Sequence, residues 1–202
     1  MKKIDLRAQY KSLYRLPSRQ AVVVEVPPLK FLTAHGEGDP NTAPAYKEAV
    51  TALFTLAYTV KFLVKRSDLA VDYGVMPLEG LWWADIEPIH VSDKKSWKWT
   101  AMILQPDFVD SSIVEEARSQ AIKKKRLPTL TKVELATLHE GRSAQLMHSG
   151  PYSAETPSIE ALHQFIEEQG GRPRGKHHEI YLNDPSRTAP EKLKTVLRQP
   201  FA

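Results

Sequence analysis

Two stretches of the chain share one order of residues: Leu32–Val50, "LTAHGEGDPNTAPAYKEAV", and Gln145–Leu162, "QLMHSGPYSAETPSIEAL". Each runs from an apolar segment through a histidine and a glycine-containing loop to a proline that opens an amphipathic segment. In both stretches that proline lies nine positions after the histidine. A repeat of this kind indicates two copies of one supersecondary unit, a strand followed by a loop and a helix.

Apolar runs and alternating patterns between turn residues predict strands on both sides of the repeated stretches. They cover residues 21–26, 30–35, 69–78, 81–91, 97–105, 132–139, 144–148 and 177–183. Turn residues at Ser92–Ser96 predict that the strands 81–91 and 97–105 form a hairpin. Glu140-Gly141 predicts a second hairpin, between the strands 132–139 and 144–148.

Capping signals predict three main helices and a short fourth one. Thr42 with Pro44 starts the first, Ser112 with Glu115 forms a capping box for the second, and Thr156-Pro157 starts the third. A further capping box at Thr188–Glu191 predicts a short helix that ends at Pro200. The basic run Lys123–Arg126 falls at the end of the second helix, where the helix dipole favours cations.

Two copies of a hairpin-helix-strand unit predict an α+β fold with one antiparallel sheet and helices on one face. The other face would then form a groove related by an approximate two-fold axis. We expect residues 1–19 to be a polar N-terminal lead-in and 20–202 to be a single domain. Its two pseudo-repeats are expected at about 20–107 and 108–202.

The composition is that of an ordinary globular protein, with 202 residues, 42% of them hydrophobic and 26% charged. The most apolar stretch, 43–64, is interrupted by charged residues, and the N-terminus lacks the apolar core of a signal peptide. We therefore expect a cytoplasmic protein without a membrane partner. The net charge of +4 comes without a nucleic-acid-binding motif, so we expect no nucleic-acid partner.

Several kinds of chemistry have no basis in the sequence. Because there is no cysteine, disulfides, thiolate nucleophiles and cysteine-type zinc sites are excluded. His177 and His178 point to opposite faces of a strand, and no histidine spacing typical of a metal site accompanies them. Phosphate-binding and dinucleotide-binding glycine motifs are missing as well. We therefore predict no metal and no cofactor.

The strand in "HHEIYLNDP", His177–Pro185, alternates strictly between two faces. His178, Ile180 and Leu182 share one face, which we expect to pack on a core. The other face carries His177, Glu179, Tyr181 and Asn183. The alternation leaves open whether this second face meets water or a ligand.

The four tryptophans, Trp82, Trp83, Trp97 and Trp99, lie on one predicted pair of strands. They could form the core of a hairpin or a stacking wall for flat ligands. Trp82 and Trp83 face opposite ways on a regular strand, so only one of them can line a cleft, and we favour Trp83. Glu79, just before them, is interpreted as a turn residue, with a second cleft carboxylate as the alternative.

Four segments together resemble the GyrI-like small-molecule-binding family: "VEVPPLKFLTAHGEGDPN", "MPLEGLWW", "HSGPYSAETPSIEALHQFIEEQG" and "HEIYLNDPSRTAPEKLKTVLRQP". The resemblance covers nearly the whole chain, and the order of the segments makes it specific. It implies a duplicated strand-helix-strand-strand fold with a ligand cleft at the pseudo-two-fold axis. The family includes stand-alone domains and the ligand-binding halves of multidrug-responsive transcription activators. No helix-turn-helix is appended here, so a stand-alone member is expected.

The resemblance also implies a site and two alternative functions. Glu179 would lie in the cleft with aromatic residues around it. From the residues themselves, we predict that these ligand-binding aromatics are Tyr73, Trp83, Trp99, Tyr152 and Tyr181, although Tyr152 could equally cap a loop. The first function is the sequestration of hydrophobic, often cationic, aromatic drugs or toxins. The alternative is a hydrolase that opens the cyclopropane ring of cyclopropanoid DNA-alkylating natural products. Glu179 and Tyr181 would then be catalytic, with Glu179 positioning or activating water. Sequence alone does not separate the two, because both need the same cleft.

Overall fold

The computed structural model describes residues 1–16, 20–85 and 96–202. The strands are β1 (Lys2–Ile4), β2 (Val22–Val26), β3 (Leu29–Glu37), β4 (Val71–Tyr73), β5 (Leu78–Trp83), β6 (Lys98–Leu104), β7 (Glu134–Leu138), β8 (Gly141–Ser149), β9 (His177–Tyr181) and β10 (Lys194–Pro200). The α-helices are α1 (Leu6–Gln9), α2 (Lys11–Tyr14), α3 (Pro44–Arg66), α4 (Ser111–Lys124) and α5 (Thr156–Glu168). Single 3-10 turns lie at Pro128–Lys132, Tyr152–Ala154 and Pro190–Lys192. The predicted turn Ser92–Ser96 lies outside the described residues except for Ser96.

The predicted α+β class is confirmed, and the chain forms two compact units. Unit 1 contains Met1–Gln9, Leu29–Met76 and Trp83–Leu138, and unit 2 contains Tyr10–Pro28, Pro77–Trp82 and His139–Ala202. The predicted pseudo-repeat boundary near residue 107 falls inside unit 1. It stays a prediction, because a repeat is defined by sequence similarity and a unit by packing. Within the described ranges, none of the helices combines the length and the apolar content that a membrane crossing requires.

Unit 1 is built around β3, which pairs antiparallel with β6 on one side and β7 on the other. The long helix α3 starts with Pro44 in its first turn, as the sequence predicts, and ends at Lys65-Arg66. Its buried side, including Leu53, Leu56 and Val60, packs against β3, β4 and β6. The N-terminal strand β1 pairs with β4 in parallel, so the lead-in is part of the fold.

Unit 2 holds antiparallel strands in the order β2-β8-β10-β9-β5, where β5 belongs to the unit up to Trp82. On one face, Leu162 and Ile166 of α5 pack on Leu146 and Leu197. The predicted short helix before Pro200 is wrong. The capping box opens only one 3-10 turn, and the central strand β10 follows it. Residues 195–200 are all buried, and pairing with two neighbours outweighs the local helical signal.

Both repeated stretches have the predicted order of elements, β3 followed by α3 and β8 followed by α5. The hairpin predicted across Glu140-Gly141 is wrong, since β7 pairs with β3 and β8 pairs with β2 and β10. Ser112 is not the N-cap of α4 that the sequence predicts. The N-cap is Asp110, whose side chain accepts a hydrogen bond from the backbone N–H of Ile113.

The face of unit 2 opposite α5 buries a connected set of charged groups, here called the charge network. His178 lies between two carboxylates, with Nε2 2.9 Å from Glu79 and Nδ1 3.0 Å from Glu140. Arg198 binds the other oxygen of Glu140 at 2.8 Å, and Tyr14 donates its hydroxyl to Glu79 at 2.6 Å. Glu79 is therefore a fully buried strand residue, which corrects its interpretation as a turn residue.

The two carboxylates determine the protonation state of His178. An imidazole with an acceptor at each nitrogen must donate from both, so it is cationic. Burial alone would lower the pKa of His178, but Glu140 and Glu79 outweigh burial and raise it. Burial would likewise raise the pKa of Glu140, but His178 and Arg198 hold it down at about 2.

We predict that Glu140→Gln lowers the free energy of unfolding by about 3 kcal/mol at pH 7. The substitution removes the carboxylate that His178 and Arg198 share, and of the two carboxylates of the network only Glu79, which contacts His178, remains. The pH dependence has two limits. Glu140 contributes fully above its unfolded pKa, and that contribution is lost as the pH falls towards 2. His178 contributes fully below its unfolded pKa, and that contribution is lost as the pH rises through its raised folded value. Urea unfolding from pH 3 to pH 9 measures both.

Glu160→Gln is the matched control for this prediction, because Glu160 is exposed on α5. We expect it to change the free energy of unfolding by less than about 0.5 kcal/mol. Equal effects of the two substitutions would show that the charge network does not contribute to stability as described.

Candidate functional site

Glu179 lies on the same face of unit 2 as α5. Directly paired residues of antiparallel strands share a face, and Glu179 is paired with Leu197 on β10 and with Gly80 on β5. Leu197 belongs to the core under α5. Glu179 therefore does not lie on the side of unit 2 where the sequence predicts a groove, and the groove itself stays a prediction. Its other face carries the charge network and is covered by α2, where Tyr14 is buried.

The alternation predicted for β9 is confirmed by burial: His178 and Ile180 are buried, whereas His177, Glu179 and Tyr181 are partly exposed. The Glu179 side chain is 14% exposed. A carboxylate this far from bulk water interacts more strongly with nearby charges and dipoles than one on an open surface.

A chain of hydrogen bonds holds the Glu179 carboxylate. The indole Nε1 of Trp82 donates to the Tyr181 hydroxyl at 3.1 Å, and that hydroxyl donates to Oε2 of Glu179 at 2.7 Å. The ring of Tyr152 meets the ring of Tyr181 edge to face, with centroids 5.5 Å apart. We call these four residues together with His177 the Glu179 cluster.

Gly80 makes room for the indole of Trp82. A Cβ atom at Gly80 would lie 2.8 Å from Nε1 of Trp82, closer than real Cβ contacts. Gly80 is also the residue that pairs with Glu179 across β5 and β9. The glycine two positions before Trp82 thus leaves space for the indole on the face that Glu179 shares.

His177 occupies the other side of the carboxylate, with its Nε2 3.5 Å from Oε1 of Glu179. Both ring nitrogens of His177 are buried without a hydrogen-bond partner among the described residues. His163 of α5 is close by: burial, and then the neighbouring His177, lower the pKa of His163. The imidazole of His163 is therefore neutral at pH 7.

Tyr152 is the more solvent-accessible tyrosine of the cluster, at 39% exposed. Its burial, followed by the charges of Glu155, Glu179 and Asp184, raises the pKa of Tyr152 to about 12. The phenol is therefore protonated across the physiological range and can donate a hydrogen bond.

Three of the predicted site residues, Glu179, Tyr181 and Tyr152, come together in unit 2. The other three belong to unit 1. Tyr73 is 3% exposed and packs edge-on against Phe108, and Trp99 is 1% exposed against Tyr46. This placement favours the core reading of Tyr73 and Trp99. Their role, and that of the partly exposed Trp83, as ligand contacts stays a prediction.

Trp82 and His177 are functional candidates that the sequence reasoning did not choose. The alternation along β5 allows either tryptophan to face the cleft, and the sequence offers no local reason to prefer Trp82 except the glycine before it. The useful signal was Gly80, which shares a face with Trp82 and leaves that face open. His177 shares a face with Glu179 by the same alternation. Among the described residues, no group of three or more histidine, aspartate or glutamate side chains is placed to hold a metal ion.

The chain belongs to the family of GyrI-like small molecule binding domains, whose model matches residues 20–201. It thus carries a small-molecule-binding domain over nearly its full length. A comparison with curated proteins found no match.

Two solved structures from Listeria innocua are similar over the full chain. An uncharacterized conserved protein is 39% identical, with a TM-score of 0.92 over 98% of this chain and 100% of its own. A hydrolase is also 39% identical, with a TM-score of 0.89 over 100% of both chains. The EcmrR C-terminal domain is 12% identical, with a TM-score of 0.56 over 91% of this chain and 97% of its own, and shares the fold alone.

We predict that Trp82→Leu weakens the binding of a flat cationic dye such as rhodamine 6G by about three- to tenfold, because the buried Trp82 donates the hydrogen bond that holds the Tyr181 hydroxyl beside Glu179. Trp83→Leu is the matched control, because the two side chains point to opposite faces of β5. Fluorescence anisotropy of the dye measures the affinity, and far-UV circular dichroism checks the fold. If Trp83→Leu weakens binding and Trp82→Leu does not, the aromatic wall has been assigned to the wrong tryptophan.

Proposed function

We propose that this protein is a hydrolase that opens a cyclopropane ring conjugated to a carbonyl group in flat, hydrophobic alkylating compounds. The observation that carries the proposal is the 2.7 Å hydrogen bond from Tyr181 to Glu179. It fixes a largely buried carboxylate in one orientation, which is what a general base requires. The likeness to a hydrolase of equal length supports an enzymatic role. The substrate class rests on the resemblance to stand-alone members of the family.

The reaction is the addition of one water molecule. The water oxygen attacks a ring CH₂ while its proton passes to the Glu179 carboxylate. The breaking C–C bond delivers its electron pair to the conjugated carbonyl, whose oxygen becomes negative. That oxygen then takes the proton back from Glu179 through solvent. The product is the ring-opened alcohol, equal in composition to substrate plus water.

Two tyrosines have different roles in this mechanism. The Tyr181 hydroxyl already donates to Glu179 and accepts from Trp82, so it positions the base. Tyr152 is protonated, and its phenol lies close enough to Glu179 for that carboxylate to raise its pKa. It is our candidate for the donor to the carbonyl oxygen as charge develops there, where preorganised donors have their largest effect.

The second candidate function is sequestration of hydrophobic aromatic cations without turnover. The observation that favours it is a carboxylate that is 14% exposed and bonded to Tyr181, whose ring contacts the ring of Tyr152. A flat cation could stack on the rings and pair with the carboxylate. Sequestration needs no bound water and no donor to a carbonyl, so the two functions differ in what Glu179→Gln changes.

We predict that Glu179→Gln lowers the turnover of a cyclopropane-containing alkylator by about 10²–10⁴-fold, the usual loss for a general base. The affinity for the same neutral compound should change by less than about threefold, because the shape of the side chain is kept. Turnover is measured by liquid chromatography and mass spectrometry of the hydrated product. Affinity is measured by isothermal titration calorimetry on the variant.

Glu160→Gln, on the exposed side of α5, is the matched control and should leave both values unchanged. If the wild-type protein forms no hydrate but binds cationic dyes through Glu179, the hydrolase proposal is refuted and sequestration is supported. If Glu179→Gln changes neither turnover nor binding, the Glu179 cluster is not the site.

A further inference from the structure

Unit 1 has a groove of about 440 Å³ between α3 and α4, and none of its lining residues belongs to the Glu179 cluster. This volume is within the range of small-molecule sites. Its lining combines aromatic and aliphatic residues with three cations. The residues that matter for its chemistry are Phe54, Tyr58, Phe62, Arg66, Lys124 and Lys125.

One wall of the groove is an aromatic row along α3. Phe54, Tyr58 and Phe62 follow one another at intervals of four residues, so they lie on one side of the helix. The rings of Phe54 and Tyr58 are 6.5 Å apart, and Tyr58 and Phe62 are 48% and 43% exposed. Large aromatic side chains exposed in a contiguous row are uncommon on a surface that binds nothing.

The charged part of the groove is cationic. Lys124 and Lys125 line it from the end of α4, and Arg66 lines it from the end of α3. None of the described residues that line it is Asp or Glu. The carboxylate of Glu116 lies one turn of α4 before Gln120 and accepts a hydrogen bond from the Gln120 side chain at 3.3 Å.

The dipole of α4 accounts for a basic run at its end, but not for the position of each cation. Lys123 and Arg126 belong to the same run and do not line the groove. Lys124 and Lys125 lie against it, near Arg66, whose guanidinium is 5.8 Å from the Phe62 ring. The cations and the aromatic row therefore border one space.

We propose that this groove is a second binding site, for a small amphiphilic anion with an aromatic or aliphatic body and a carboxylate, sulfonate or phosphate head. The body packs on Phe54, Tyr58 and Phe62. The head lies between Arg66 and the two lysines. The groove and the Glu179 cluster share no residue, so the proposal is independent of the proposed function.

The test compares two probes with the same aromatic body, 1-anilinonaphthalene-8-sulfonate and N-phenyl-1-naphthylamine. The second lacks the sulfonate group and is uncharged. Binding of each to the full chain is followed by probe fluorescence at low and high salt. We expect the sulfonate to bind at one site, with an affinity that falls as salt screens the cations. The affinity of the uncharged analogue should be insensitive to salt.

The double substitution Lys124→Gln/Lys125→Gln should weaken binding of the sulfonate about fivefold, as expected for two exposed ion contacts, and leave the uncharged probe unchanged. Lys123→Gln/Arg126→Gln removes the same charge from the same helix end and should change the affinity less than about twofold. Phe62→Ala should weaken both probes about three- to tenfold.

Equal effects of the two double substitutions would overturn the proposal, because they would show attraction to the basic helix end as a whole. A loss of sulfonate binding in Glu179→Gln, with no loss in the lysine pair, would place the anion at the other site and overturn it too. A lower sedimentation coefficient for the Phe62→Ala variant than for the wild-type protein would also overturn the proposal. It would show that the substitution dissociates an oligomer, and that the groove is a contact between copies of the chain.

Discussion

The imidazolium of His178, bound between the carboxylates of Glu79 and Glu140, fixes much of the structure of unit 2. Burying these charges is costly, and the cost is offset only when each group reaches its partner. Glu79 comes from β5, His178 from β9 and Arg198 from β10, so the network ties three neighbouring strands in one register. A slip of β9 by one residue would place Glu179 in the network and His178 on the α5 face. The orientation of Glu179 thus depends on the pairing of His178.

The site follows from this constraint through the period of two along a strand. Because His178 is directed to the buried network, His177 and Glu179 must both face the α5 side, where they are neighbours. The same rule on β5 directs Glu79 into the network and leaves Gly80 and Trp82 on the side of Glu179. Structural and functional residues therefore alternate along two paired strands. A substitution meant to probe the site must leave the network intact to be interpretable.

The sequence predicted those features that local patterns determine, and missed those that depend on distant partners. The repeated strand-loop-helix order and the alternation in β9 are local, and both are confirmed. Glu79 has partners 65 and 99 positions away, at Tyr14 and His178, and nothing near it in the sequence indicates burial. The strand β10 has a capping box in front of it, and only its two neighbouring strands overrule that signal. The preference for Trp83 stays a prediction, and the space that Gly80 leaves makes Trp82 a second candidate.

The hydrogen bonds of Glu179 bear on whether its carboxylate serves as a counter-ion or as a base. A counter-ion for varied cations is most useful when its oxygens are free to reorient toward each ligand. Here Tyr181 holds one oxygen, and Trp82 in turn holds Tyr181, while His177 lies 3.5 Å from the other. Such a carboxylate has little freedom to follow different ligands, but it needs no reorganisation to accept a proton from a water molecule in a fixed position. A carboxylate held in this way is what the proposed hydrolase requires, whereas the proposed sequestration of varied cations would need a carboxylate that reorients.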